Sequence, residues 1–395
     1  QKKSIKKINA LNKFDPLLIN GVTGSGKTEI YLKSIEKVLK NNKSVLILVP
    51  EINLIPQIFE RFKLRFGDQV NKYHSKQSNK ENLNTWLKAK FGNTKIIIGT
   101  RSAVMLPLKN LGMIIIDEEH DDSYKQNDGF RYSARDLAIK RSQIMDIPII
   151  LGSATPSFQT LKLVYERKFK EAVLRERVDG TNPPKLILLD IRNQPLNAGL
   201  SKDAIEAINF TLKRNKQVLI FINRRGFAPV LRCHCGWKAV CKKCKSNLVL
   251  HKSINKMMCH RCELKEPIND YCPKCLSKEL IYEGVGTETV EEFLKRFFPQ
   301  VKTIRIDMDS TRKVNSMEKI IETVKKNSPA ILIGTQMLAK GHDFPKVDLG
   351  IILNIDNGIL APEFNSQEKT AQLLIQVSGR VGRGSNSGRV IVQTF

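Results

Sequence analysis

The run Gly21-Val22-Thr23-Gly24-Ser25-Gly26-Lys27-Thr28 constrains this chain more than any other stretch. An apolar segment, Leu17-Leu18-Ile19, precedes it. A helical pattern follows, with Tyr31, Ile35, Val38 and Leu39 on one face. Strand, glycine-rich turn and helix in that order make a P-loop. The glycines let the backbone close around phosphates with its N–H groups turned inward, and the helix N-terminus adds partial positive charge. On this reading Gly21, Thr23, Gly24, Ser25 and Gly26 cradle the phosphates of ATP. Lys27 reaches the β- and γ-phosphates, and the Thr28 hydroxyl ligates Mg²⁺. The feature specifies a nucleotide; what the nucleotide drives must come from the surrounding residues.

Those surroundings are basic. Lys and Arg number 66 against 39 Asp and Glu, a net charge of +27, which points to a polyanionic partner, nucleic acid first. At 395 residues, 41% hydrophobic and 27% charged, the chain has room for two or three domains with apolar cores. No apolar run is long enough to cross a membrane, and Gln1-Lys2-Lys3 lacks the apolar core of a signal peptide. Without an initiator Met, the sequence reads as a fragment of a longer chain.

Apolar strand candidates recur at Val45–Val49, Ile96–Ile98, Met113–Ile116 and Ile149–Leu151, with helical patterns between most of them. That alternation predicts an α/β fold, a parallel sheet with helices on both faces. The segment Asp179-Gly180-Thr181-Asn182-Pro183-Pro184 reads as a linker. The pattern then restarts at Val218–Ile222, Thr303–Ile306, Ile331–Ile333 and Leu349–Leu353, a second α/β lobe without its own P-loop. The expected organisation is a nucleotide-binding lobe over 1–180, a second lobe over 181–230 and 281–395, and an insertion over 231–280 that holds all 8 cysteines.

Met113-Ile114-Ile115-Ile116-Asp117-Glu118-Glu119-His120 is a buried strand ending in acids. Near a P-loop, Asp117 is placed to hold Mg²⁺ and Glu118 to orient and polarise the attacking water. Leu151-Gly152-Ser153-Ala154-Thr155-Pro156 follows another strand, and its hydroxyls are of the kind that bridge an acid cluster to a second domain. Thr100, Arg101 and Ser102 sit at a strand's C-terminal end, where they can bond phosphate oxygens of a nucleic acid. Between the acids and the Ser-Ala-Thr loop lie Tyr124, Lys125, Phe130, Arg131 and Tyr132 around Gly129. Aromatics interleaved with cations suit single strands, where rings stack on bases and cations meet phosphates.

In the second lobe, Arg380 and Arg383 stand three apart in Gln376-Val377-Ser378-Gly379-Arg380-Val381-Gly382-Arg383. Arginines supplied to a γ-phosphate act as fingers that stabilise charge in the transition state. Thr335, Gln336 and Lys340 are candidates for phosphate or ribose, and Asp343 for orienting the arginines; His342 is not assigned to catalysis. The cysteines fall in four pairs, Cys233/Cys235, Cys241/Cys244, Cys259/Cys262 and Cys272/Cys275. Three are C-x-x-C knuckles, so the segment makes two Cys₄ zinc sites in a reducing compartment; the pairs can combine in three ways.

Together these residues resemble the PriA family of primosomal replication-restart helicases. The resemblance rests on 21–29, Asp-Glu-Glu-His at 117–120, Gly-Ser-Ala-Thr-Pro-Ser at 152–157, Asn-Arg-Arg-Gly at 223–226, Met-Leu-Ala-Lys-Gly-His-Asp-Phe-Pro at 337–345 and 376–383. The interposed cysteine pairs are its most specific mark. It implies a superfamily 2 core of two RecA-like lobes that moves 3′ to 5′ on DNA using ATP and restarts stalled replication forks. The implied partners are single-stranded and forked DNA, primosome proteins and single-strand binding protein, in the bacterial cytoplasm at the nucleoid. It also implies nested zinc sites, Cys233, Cys235, Cys272 and Cys275 holding one ion and Cys241, Cys244, Cys259 and Cys262 the other. The first pair departs from the family pattern as C-x-C around His234, which makes His234 an alternative ligand. The family's amino-terminal fork-recognition domains and its carboxy-terminal domain are not in this sequence. Two rival readings are a duplex translocase that does not separate strands and a zinc-ribbon assembly factor with a vestigial ATPase.

Overall fold

Strands that are apolar on both faces need cover on both sides, and a parallel sheet flanked by helices supplies it. The computed structural model describes residues 8, 11, 13–192, 194–223, 230–233, 235–237, 239–245, 248–251, 256–259, 262–278, 280–283, 286–306, 320, 322–324, 326–335, 338, 344–359, 363–383 and 388–394. Contacts divide the chain into two compact units, Gln1–Gly180 and Thr181–Phe395.

The first unit is built on β1 (Pro16–Gly21), β2 (Ser44–Leu48), β3 (Val70–Tyr73), β4 (Ile96–Gly99), β5 (Leu111–Asp117), β6 (Ile149–Ser153) and β7 (Lys170–Leu174). They form one sheet in the order β3-β4-β2-β5-β6-β1-β7, every neighbouring pair parallel. Helices α1 (Lys27–Lys40), α2 (Ile55–Phe66), α3 (Asn79–Phe91), α4 (Ala134–Ile144) and α5 (Phe158–Tyr165) accompany it. Alternation along the strands sorts side chains to the two faces. Leu17, Ile19, Val45, Ile47, Ile98 and Ile115 pack with Ile30, Ile35 and Phe62 of α1 and α2. Leu18, Leu46, Leu48, Ile97, Ile114 and Ile116 pack with Ala134 and Ala138 of α4. Each fully buried aliphatic chain contributes roughly 1.5–3 kcal/mol. The sequence pattern did not reveal β3 or β7. Both are edge strands, half covered, and their polar residues break the apolar run.

The second unit repeats the plan with β8 (Lys185–Asp190) and β9 (Gln217–Ile222) before the insertion. The insertion comprises β10 (Val230–Cys233), β11 (Val249–His251), β12 (Lys256–Met258), β13 (Lys265–Glu266) and β14 (Leu280–Glu283). After it come β15 (Lys302–Ile306), β16 (Ala330–Gly334), β17 (Val347–Leu353) and β18 (Arg389–Thr394). The large sheet is parallel throughout, in the order β15-β16-β9-β17-β18-β8. Helices α6 (Lys202–Lys213) and α7 (Thr287–Phe297) cover one face through Ile208, Leu212, Val290 and Leu294. Val377 of α9 (Ser366–Ser378), the helix after the short α8 (Ile355–Ile359), packs on the other. The expected pair of parallel-sheet units is found. The insertion is closed at its base by antiparallel pairing of β10 with β14. Residues 224–226, 336, 337 and 339–343, including Gln336, Lys340, His342 and Asp343, lie outside the described residues.

Candidate functional site

β1 ends at Gly21, and the chain turns through Gly24 (φ 79°) and Gly26 (φ 82°), left-handed conformations that favour glycine. Ser25 N–H donates to Val22 O at 3.0 Å, and Val178 N–H donates to Gly24 O at 2.9 Å. A Cβ at Gly21 would lie 2.6 Å from Ser25 Oγ. Helices α3, α4, α5 and α6 are capped by Ser78, Ser133, Ser157 and Ser201. α1 begins after Gly26 with no side-chain cap; the Glu29 and Ile30 N–H groups donate to Gly26 O, which turns the earlier ones, at Lys27 and Thr28, toward an anion site. Lys27 Nζ donates to Gly21 O at 3.3 Å and stands 3.5 Å from Glu118 Oε1. The loop's cation and the strand-end acids therefore meet at one point.

Asp117 ends β5, and Glu118 follows with φ 49°, which turns the chain sharply. Tyr31 of α1 donates its hydroxyl to Asp117 Oδ1 at 2.9 Å. Burial and the adjacent Asp117 push the Tyr31 hydroxyl well above its ordinary value, so it stays protonated as a donor. Burial, then the Glu118 carboxylate, pushes the Asp117 carboxyl up to about 6. A half-buried pair of acids with one nearby lysine suits a divalent cation, and the hard oxygen donors of Asp117 and Thr28 fit Mg²⁺.

Two residues carry roles that the motif alone did not give them. Glu119, with a side chain 0% exposed, stands 2.9 Å from Arg135 Nε of α4. It accepts from Ser157 N at 2.8 Å and from Thr160 Oγ1 at 2.8 Å. His120 Nδ1 lies 2.7 Å from Ser153 Oγ, and its Nε2 lies 3.3 Å from Thr155 Oγ1. The Ser-Ala-Thr loop is thus tied to the acid cluster inside the first unit. The signal for Glu119 was an acid followed by a serine helix cap 38 residues on, which no spacing rule singles out.

The nucleic-acid candidates separate into two groups. Tyr124 is a correction: at 1% exposed it belongs to the core, its hydroxyl 2.6 Å from Asp117 O and 3.0 Å from Leu48 O, and its ring has no free face for a base. Arg101 donates through Nη1 to Ser123 O at 3.2 Å and Lys125 O at 2.9 Å, so it shapes the loop that follows the acids. Lys125, Phe130 and Arg131 are exposed, Phe130 at 74%, and the Phe130 and Tyr132 rings lie 5.7 Å apart. Gln126 N–H donates to Tyr132 O, which closes the loop as a hairpin. Ser102 is exposed and Thr100 half-buried at the end of β4. Gly99 beside them admits no side chain, because its Cβ would sit 2.7 Å from Tyr73 O.

Arg380 and Arg383 lie in the turn after α9. Arg380 is buried, and Arg383 Nε donates to Gly379 O at 3.1 Å.

The cysteines gather as Cys233, Cys235, Cys272 and Cys275, and as Cys241, Cys244, Cys259 and Cys262, each set with all sulfurs within 4.8 Å of one another. The nearest Sγ pairs are Cys233–Cys275 at 3.4 Å, Cys235–Cys272 at 3.6 Å, Cys241–Cys262 at 3.4 Å and Cys244–Cys259 at 3.3 Å. Disulfides are much shorter, about 2.05 Å. Four sulfurs about 2.3 Å from a tetrahedral centre lie about 3.8 Å apart, so both donor sets fit zinc. Of the three possible combinations, this is the nested one. The outer set is complete with four thiols; His234 lies outside the described residues.

Three family models match the chain: the DEAD/DEAH box helicase over residues 1–164, the helicase conserved C-terminal domain over 277–385, and the PriA DNA helicase Cys-rich region domain over 241–267. Among curated relatives, the replication restart protein PriA of Haemophilus influenzae is 46% identical over 96% of this chain and 52% of its own length. That of Bacillus subtilis is 42% identical over 96% and 48%, and that of Rickettsia conorii 41% identical over 100% and 61%. The chain spans about half the length of the first two. Solved structures similar in fold include RecG bound to a three-way DNA junction, with TM-score 0.57 and 17% identity over 100% of this chain and 42% of that one. Another is the helicase MrfA bound to DNA, with TM-score 0.58 and 13% identity over 100% and 48%. No described helix is long and apolar enough to cross a membrane. Two helicase-type parallel-sheet units, a doubled Cys₄ insertion between strands of the second, and close identity along the whole chain place it in the PriA replication restart family.

Proposed function

We propose that this chain is the ATP-driven motor of a 3′ to 5′ DNA helicase that acts at stalled or repaired forks in replication restart. The observation that carries the reading is the meeting of Lys27 with Glu118, 3.5 Å apart, beside Asp117 at the end of β5. The loop Gly21–Thr28 binds the triphosphate, with backbone N–H groups and the open end of α1 on its oxygens. Thr28 and Asp117 would hold Mg²⁺, which would supply positive charge against the β- and γ-phosphates. Glu118 orients the attacking water and takes its proton through a carboxylate oxygen. Lys27 balances charge on the γ-phosphate, and Arg380 and Arg383 add positive charge to the transferred phosphoryl group. The exposed hairpin with Lys125, Phe130, Arg131 and Tyr132 takes single-stranded DNA by stacking and phosphate contact, and Thr100, Arg101 and Ser102 add polar contacts. The two Cys₄ sets hold one zinc ion each and stiffen an insertion too small to fold on its own core. Single-strand binding protein and other primosome proteins are partners by family.

Strand displacement tests this. Partial duplexes with either a 3′ or a 5′ single-stranded tail are incubated with ATP and Mg²⁺. Displacement confined to the 3′-tailed substrate is expected. ATP-dependent movement along duplex DNA without strand separation would replace the helicase reading with the translocase one.

A further inference from the structure

Nothing in the P-loop or acid motif explains why residue 152 is glycine. Gly152 pairs with Asp117 across β6 and β5, and its backbone conformation lies outside the left-handed region. A Cβ built there would lie 1.6 Å from the Tyr31 hydroxyl, 2.9 Å from Tyr31 Cζ and 3.4 Å from Asp117 Oδ1. The tyrosine hydroxyl fills the volume of the missing side chain. Tyr31 comes from α1, one turn past the P-loop lysine, with its side chain crossing from helix to strand end. It is 2% exposed, and its hydroxyl donates to Asp117 Oδ1 at 2.9 Å. At the other end of the same residue, the Tyr124 hydroxyl lies 2.6 Å from Asp117 O. Asp117 is thereby held at its backbone by one tyrosine and at its carboxylate by another.

We propose that Tyr31 is a positioning residue for the metal-binding carboxylate: its hydroxyl fixes Asp117 Oδ1 and so orients the carboxylate for the nucleotide-bound divalent cation, and Gly152 exists to make room for that hydroxyl. This rests on the reading of Asp117 as the Mg²⁺ ligand. The physical reason is general. A carboxylate in a buried site has two equivalent oxygens and a free χ2. A donor on one oxygen removes that freedom before the metal arrives and so lowers the ordering cost of binding. Phenylalanine keeps the ring and its packing but loses the donor. Alanine at 152 keeps the donor but displaces it.

The test is divalent-ion binding to the full chain with a non-hydrolysable ATP analogue, read by electron paramagnetic resonance of Mn²⁺. Four variants are compared: Tyr31→Phe, Gly152→Ala, the double variant, and Asp117→Asn. Hydrogen-bond partners of metal ligands commonly set affinity by 10- to 100-fold. Mn²⁺ affinity is therefore expected to fall about tenfold in Tyr31→Phe, and similarly in Gly152→Ala. The double variant is expected to lose little beyond either single change, because both remove one contact. In hydrolysis assays the half-saturating Mg²⁺ concentration is expected to rise about tenfold in Tyr31→Phe, with the rate recovering at high Mg²⁺. A merely structural loss would not be rescued by the ion. If Gly152→Ala fails to fold, Tyr31→Phe alone decides. Mn²⁺ affinity in Tyr31→Phe within twofold of the parent, while Asp117→Asn loses binding, overturns this proposal and leaves the site intact. Unchanged binding in Asp117→Asn overturns both.

Discussion

Replacing Glu119 by alanine gives the sharpest stability test of the first unit. Its carboxylate is fully buried and takes Arg135 Nε at 2.9 Å, Ser157 N at 2.8 Å, Thr160 Oγ1 at 2.8 Å and Ser157 Oγ at 3.2 Å. The Arg135 contact is Coulombic, since the N–H is not aligned for a hydrogen bond. Truncation leaves a guanidinium only 9% exposed with Gln159 Oε1, Thr160 Oγ1 and the half-exposed Asp136. Removing one partner of a buried pair costs about 3–5 kcal/mol. At roughly 2–4 °C per kcal/mol for a unit of this size, the midpoint falls by roughly 6–20 °C. The two tryptophans make the assay local: Trp86 lies in the first unit, Trp237 in the insertion. In a Trp237→Phe background, Trp86 fluorescence during urea unfolding follows the first unit alone. A loss under about 1 kcal/mol in Glu119→Ala would refute the claim that this ion pair ties the acid motif to α4 and α5.

Other outcomes follow from the same geometry. The Asp117 carboxyl is pushed from 3.8 up to about 6, by burial first and then by Glu118, so the folded state holds its proton more tightly than the unfolded one. Its stabilising contribution is present below pH 3.8 and lost as pH rises through about 6; Asp117→Asn is expected to flatten that slope in urea titrations at stepped pH. Elemental analysis is expected to find two zinc ions per chain and one in Cys259→Ser, with altered Trp237 emission because that ring packs against the Cys241/Cys259 core. Phe130→Ala, at an exposed ring, is expected to weaken single-stranded DNA binding about tenfold by fluorescence anisotropy with an unchanged melting point. Tyr124→Ala is expected instead to destabilise the first unit by about 3–5 kcal/mol.

Most central strands were legible because they are buried on both faces and read as unbroken apolar runs, Ile114-Ile115-Ile116 being the plainest case; interior β18 was missed, its apolar run Val390-Ile391-Val392 being short and flanked by Arg389 and Gln393. The edge strands β7 and β8 were not legible, since Lys170–Leu174 and Lys185–Asp190 alternate exposed and covered residues. P-loop glycines, strand-end acids and cysteine knuckles were readable because their chemistry needs fixed residues at fixed short spacings. Pairing among the knuckles needs the third dimension, as Cys233 finds Cys275 across 42 positions. Tyr124 misled because an aromatic beside a lysine looks the same in sequence whether its ring faces solvent or core. Tyr31 and Gly152 stayed silent for a related reason: their contact joins a helix to a strand 121 residues away, and neither is unusual alone.

Phosphate release from ATP, measured with and without single-stranded DNA for the chain and for Lys27→Ala, tests the motor claim most directly. Release stimulated by the strand in the parent and reduced at least about 100-fold in Lys27→Ala is expected if Lys27, 3.5 Å from Glu118, meets the γ-phosphate as proposed. Undiminished release from Lys27→Ala would mean that hydrolysis occurs elsewhere, and the account of this site would fail.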